Sequence, residues 1–122
     1  MKQEEFALAE IIVKLGVAFA NCDGEFVRQE FDYINRYVTR LENEYGLDNK
    51  CKAKLIAYCA TQHKIKDVAI DFNALTSSLP ANEKVVVKAC IDDFIKGVIA
   101  SDGKIAPEET DLYNEWNRLI NI

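Results

Sequence analysis

Two pairs of carboxylates are the residues whose types and spacing could do chemistry. Asp23 and Glu30 stand in the run Asp23-Gly24-Glu25-Phe26-Val27-Arg28-Gln29-Glu30, and Asp102 and Glu109 in Asp102-Gly103-Lys104-Ile105-Ala106-Pro107-Glu108-Glu109. Both runs read Asp-Gly-x-apolar-x-x-x-Glu. Carboxylate oxygens are the ligands that hard cations such as calcium and magnesium prefer, and glycine lets the chain turn sharply between them. The same residues can also brace a helix start, with Asp fixing the turn and Glu accepting a hydrogen bond from the N-cap N–H. The runs themselves leave both roles open.

The spacing beyond each glutamate sharpens the question. Glu30, Ile34, Tyr37 and Leu41 follow helical steps of four, three and four, as do Glu109, Tyr113, Trp116 and Ile120. Each Glu therefore falls on the apolar row of its helix. A carboxylate moved toward low dielectric must be hydrogen-bonded, metal-paired or protonated. Val27 and Ala106, at the expected N-cap positions, have no hydroxyl to complete a capping box, so capping alone uses only half of that motif. Asp-Gly followed by Glu at this distance is also the second half of a calcium EF-hand loop. The first half is missing: Asn21 could serve as a ligand in the first run, but Ala100 cannot in the second, and Phe19 and Val98 occupy the leading acidic positions. Two carboxylates per loop fall short of the roughly six to eight oxygens calcium takes, so the expectation is a weak site, or one shared between the loops.

The elements that must position these groups all read as helices, and no useful stretch alternates with period two. The spacing predicts helices over residues 3–22, 28–44, 49–63 and 82–102, with a weaker one over 65–79 that ends at Pro80, and a last over 107–120. The first is apolar nearly all round after Ile11 and should be central. In the second, Val27, Phe31, Ile34, Val38, Leu41 and Tyr45 make the buried stripe, while Arg28, Asp32, Arg36, Arg40 and Glu44 make the solvated row. The predicted fold is all-α, a compact bundle of about six or seven helices, with two pseudo-repeated helix-turn-helix units. It forms a single domain over 1–122, with halves near 3–45 and 82–122 joined by a helical segment over 48–79.

Composition narrows the function classes. The 122 residues include 15 Lys plus Arg against 20 Asp plus Glu, a net charge of −5, which is a poor basis for nucleic-acid binding. The basic stretch holding Lys50, Lys52, Lys54, Lys64 and Lys66 does not form one helical stripe and reads as solvated surface. The acidic start Met1-Lys2-Gln3-Glu4-Glu5 does not look like a signal peptide, and Ile11 to Cys22, interrupted by Lys14, is too short to insert in a membrane. Cys22, Cys51, Cys59 and Cys90 contain no C-x-x-C pair and read as reduced thiols of a cytoplasmic protein. His63 is the sole histidine and has no evident nucleophile beside it, so no enzymatic activity is expected. Tyr37, Tyr113 and Trp116 suit core packing better than a ligand pocket.

The two turns, each following an apolar helix, with helical segments between them over nearly the whole chain, resemble the tellurite-resistance TerB family. The second turn, Ala100 to Glu109, is close to that family's usual one; the first departs after Glu25, with Val27-Arg28-Gln29 where small, Pro and acidic residues are common. The resemblance implies an all-helical bacterial stress-associated domain without established enzymatic activity. Its clustered acidic residues, suggested to bind metal, fall by position on Asp23, Glu30, Asp102 and Glu109. The expected cofactor is a divalent cation, calcium before magnesium. The alternative is a protein-interaction module in which the acidic turns are purely structural, as implied by related domains attached to co-chaperones.

Overall fold

The computed structural model describes residues 2–22, 24, 26–101, 103 and 106–120. Among them are six α-helices: α1 (Gln3–Asn21), α2 (Arg28–Tyr45), α3 (Asn49–Ala57), α4 (Ile65–Thr76), α5 (Ala81–Ala100) and α6 (Pro107–Leu119), with a 3₁₀ turn over Tyr58–Ala60. No strand occurs among the described residues, and the fold is an all-α bundle.

Helix α1 is the axis of the bundle, packed by α4 and α5 and also touched by α2 and α3. From Ile11 to Ala20 every residue except Lys14 is buried, which is the environment a helix apolar on all sides requires. Helix α2 is amphipathic: Ile34, Val38 and Leu41 are buried, and the opposite row is exposed, tied by Arg28–Asp32 and Arg40–Glu44 pairs of 3.8 Å each. Such exposed pairs are worth only about 0.3–0.5 kcal/mol, so the stripe rather than the charges holds α2 in place. Trp116 of α6 is fully buried, with its ring 5.3 Å from that of Phe72 on α4.

Two helix ends and one burial assignment differ from the sequence reading. The helix predicted through residue 63 stops at Ala57 and tightens into the 3₁₀ turn. The carbonyl of Tyr58 accepts from the Thr61 N–H (3.3 Å) and Thr61 Oγ1 (3.2 Å), and His63 Nε2 lies 2.9 Å from it, so the acceptor that would extend the helix is taken. Tyr58 itself is anchored elsewhere, its hydroxyl donating to Glu10 of α1. Helix α4 ends at Thr76, short of the predicted Leu79. Tyr45, assigned to the buried stripe of α2, is 54% exposed. Gly46, at φ 70°, turns the chain there, and it is Leu47 that enters the core at 5% exposure.

Candidate functional site

Each glutamate singled out by the sequence is the third residue of its helix. Helix α2 begins at Arg28 after Val27 in extended backbone (φ −85°, ψ 163°), and α6 begins at Pro107 after Ala106 (φ −86°, ψ 148°). Proline suits the first helical position because its missing donor has no partner to satisfy there. From the third position the side chain can turn back on the helix start. Glu30 Oε1 accepts from the Val27 N–H at 3.0 Å, and Glu109 Oε1 from the Ala106 N–H at 3.1 Å.

The caps are one-sided, as the missing hydroxyls require. Without a side-chain acceptor at Val27 or Ala106, the Glu30 N–H goes to the Val27 carbonyl (3.2 Å) and the Glu109 N–H to the Ala106 carbonyl (3.1 Å). Upstream, Gly24 (φ 87°) and Gly103 (φ 77°) both occupy the left-handed region, which costs a residue with Cβ of order 1 kcal/mol or more. The Gly24 N–H bonds to the Asn21 carbonyl at 2.9 Å and the Gly103 N–H to the Ala100 carbonyl at 3.0 Å, closing α1 and α5 in the same way.

Both carboxylates are buried, Glu30 and Glu109 each at 2% exposure. Their helix starts supply backbone donors and the positive end of a helix dipole, worth about 0.3–1 kcal/mol to a nearby anion and up to ~2 when partly buried. Asp23 and Asp102, the other two residues of the expected cation site, lie outside the described residues. Among the described residues no three His, Cys, Asp or Glu side chains gather as metal ligands. Asn21, a candidate ligand in the first turn, directs its amide Nδ2 to the Val17 carbonyl at 3.1 Å.

No disulfide joins the four cysteines among the described residues, and burial raises the thiol pKa of Cys51 and Cys59, which dulls both as nucleophiles. His63 braces its turn, with Nε2 3.1 Å from Thr61 Oγ1 and its ring edge-on to Tyr58. Trp116 is core, as expected; Tyr37 packs its ring 5.0 Å from that of Phe94 but also lines a pocket of about 620 Å³ between α1, α2 and α5. That pocket draws Glu5, Tyr37 and Asp93 from three helices far apart in sequence, so no local pattern announces it.

Comparisons of the chain with known protein families, with curated proteins and with solved structures find no match. No helix among the described residues is long and apolar enough to cross a membrane.

Proposed function

We propose that the chain is a non-enzymatic, cytoplasmic, TerB-like stress-associated domain whose two acidic turns take a divalent cation, calcium before magnesium. Glu30 and Glu109 supply the carboxylate from the helix side, Asp23 and Asp102 the carboxylate from the turn, and loop carbonyls the remaining oxygens. The observation that carries this reading is the burial of both glutamates, at 2% exposure each, at equivalent helix starts beside left-handed glycines. An ion there would couple its concentration to the packing of α2 and α6 on the rest of the bundle.

Thermal unfolding after chelation, and again with millimolar calcium, magnesium, manganese or zinc, tests the proposal. Calcium at ten times its Kd adds about 1.4 kcal/mol of stability, a rise of several degrees in Tm for a domain of this size. Glu109→Gln should lose much of that rise. No shift with any ion in the wild-type protein overturns the reading.

A second reading is a protein-interaction module in which the glutamates only fix the turns. It is favoured by apolar side chains that the bundle leaves uncovered, Ile70 on α4 at 62% exposure and Val85 and Val86 on α5 at 61% each. Under it Glu109→Gln lowers stability with no dependence on metal, and a pull-down at physiological salt that recovers no partner counts against it.

A further inference from the structure

The pocket between α1, α2 and α5 is distinct from the acidic turns. Four aromatic side chains line it, Tyr33, Tyr37 and Tyr45 from α2 and Phe94 from α5. Three of them form one cluster: the Phe94 ring centroid lies 5.5 Å from that of Tyr33 and 5.0 Å from that of Tyr37. The cluster is built into the backbone, because Tyr33 lies across α5 at Gly97, where a Cβ would meet its hydroxyl oxygen at 1.8 Å. At about 620 Å³ the volume falls within the ~300–1,000 Å³ typical of small-molecule sites.

Charge decides what suits it. Glu5 of α1 and Asp93 of α5 line the same pocket, and neither makes an ion pair among the described residues. The cationic side chain in the lining, Arg40, already has Glu44 at 3.8 Å. Aromatic faces carry negative quadrupole potential and attract cations. One such contact is present at the cluster, where the Arg36 guanidinium lies 5.7 Å from the centre of the Tyr33 ring. Ring faces and unpaired carboxylates together repel anions and attract positive charge. A bare metal ion is a poor occupant, since the walls are largely rings and aliphatic groups rather than the roughly six oxygens a hard cation needs. A soft organic cation is a good one, because its alkyl groups replace the water lost from the rings.

We propose that this pocket binds a small organic cation, an ammonium group carried on an apolar body, held between Tyr37, Tyr45 and Phe94 and neutralised by Glu5 and Asp93. The test is an NMR titration of the full chain, recording amide ¹H–¹⁵N shifts at constant ionic strength. The probes are choline and its neutral isostere 3,3-dimethylbutan-1-ol. Choline should move the amides of Tyr37, Tyr45 and Cys90 and bind about 5-fold or more tightly than the alcohol, the ratio equivalent to one cation–π contact. Asp93→Asn and Glu5→Gln lie at exposed positions, so the fold should tolerate them. Each should weaken choline and leave the alcohol unchanged, whereas Tyr45→Leu should weaken choline more than the alcohol. The proposal is overturned by equal affinity for the two probes, by shifts confined to other parts of the protein, by no response to choline, or by choline binding that is indifferent to both carboxylate variants.

Discussion

Glu30 and Glu109 make the same contact in two different helices: each folds one carboxylate oxygen back onto the N–H three residues earlier, at 3.0 Å to Val27 and 3.1 Å to Ala106. Both do so while 2% exposed. Removing the side chain therefore deletes an acceptor from a part-buried donor and leaves a space at the helix start. Glu30→Ala and Glu109→Ala should each cost about 1–3 kcal/mol, read as a lower urea midpoint at unchanged slope. Loss of only a few tenths in both would mean that the bonds contribute little to the fold.

The missing half of each cap can be supplied. Ala106 is half-buried and already has the extended backbone of an N-cap, but it offers no side-chain oxygen to the Glu109 N–H. Ala106→Ser adds that acceptor without altering the existing bond to Glu109. The expected gain is about 0.5–1 kcal/mol, measured by urea unfolding. A destabilised variant would show that this helix start has no room for the hydroxyl.

Asp48 provides the pH-dependent case. Its Oδ1 accepts from the Cys51 N–H at 2.8 Å at the start of α3, and that bond holds its pKa below the usual 3.8. A carboxyl with a depressed folded pKa contributes stability that is present above its unfolded pKa and lost as pH falls through the folded one. Stability should therefore decline as pH drops below 3.8, and Asp48→Asn, which keeps an acceptor but does not titrate, should flatten that part of the profile. Urea midpoints collected from pH 5 downward would show the difference between the two curves; identical slopes would remove Asp48 as the cause.

Much of this architecture was legible because it depends on local periodicity. The apolar run from Ile11 to Ala20 could only be a buried helix, and the four-three-four spacing alone puts Glu30 and Glu109 on inward rows, where both are buried. What escaped depends on groups distant in sequence. The early end of α3 reflects the Tyr58 carbonyl being taken by Thr61, within a turn whose tyrosine reaches Glu10 of α1. Tyr45 fits the stripe by spacing, yet α2 outruns the bundle at that point and Leu47 fills the space. The aromatic pocket joins α1, α2 and α5, and no window of the chain shows that Glu5 and Asp93 line the same pocket.

The contact between Tyr33 and Gly97 yields the sharpest packing prediction. A methyl group at position 97 would sit 1.8 Å from the Tyr33 hydroxyl oxygen and 2.2 Å from its Cζ, so the ring must leave or the helices must part. Gly97→Ala improves helix propensity by about 0.8–1 kcal/mol, which would stabilise an unobstructed helix. Here overpacking, typically about 1–3 kcal/mol, outweighs that gain, and the variant should be less stable than wild type. Tyr33→Ala removes the obstruction, so Gly97→Ala made in that background should become neutral or stabilising. Such a change of sign in a double-mutant cycle cannot come from propensity alone, because propensity is the same in both backgrounds. It would locate the cost in the ring lying across α5, the same ring that forms a wall of the aromatic pocket. Additive effects of the two substitutions would instead show that α2 and α5 move apart readily, and that the pocket has a pliable wall.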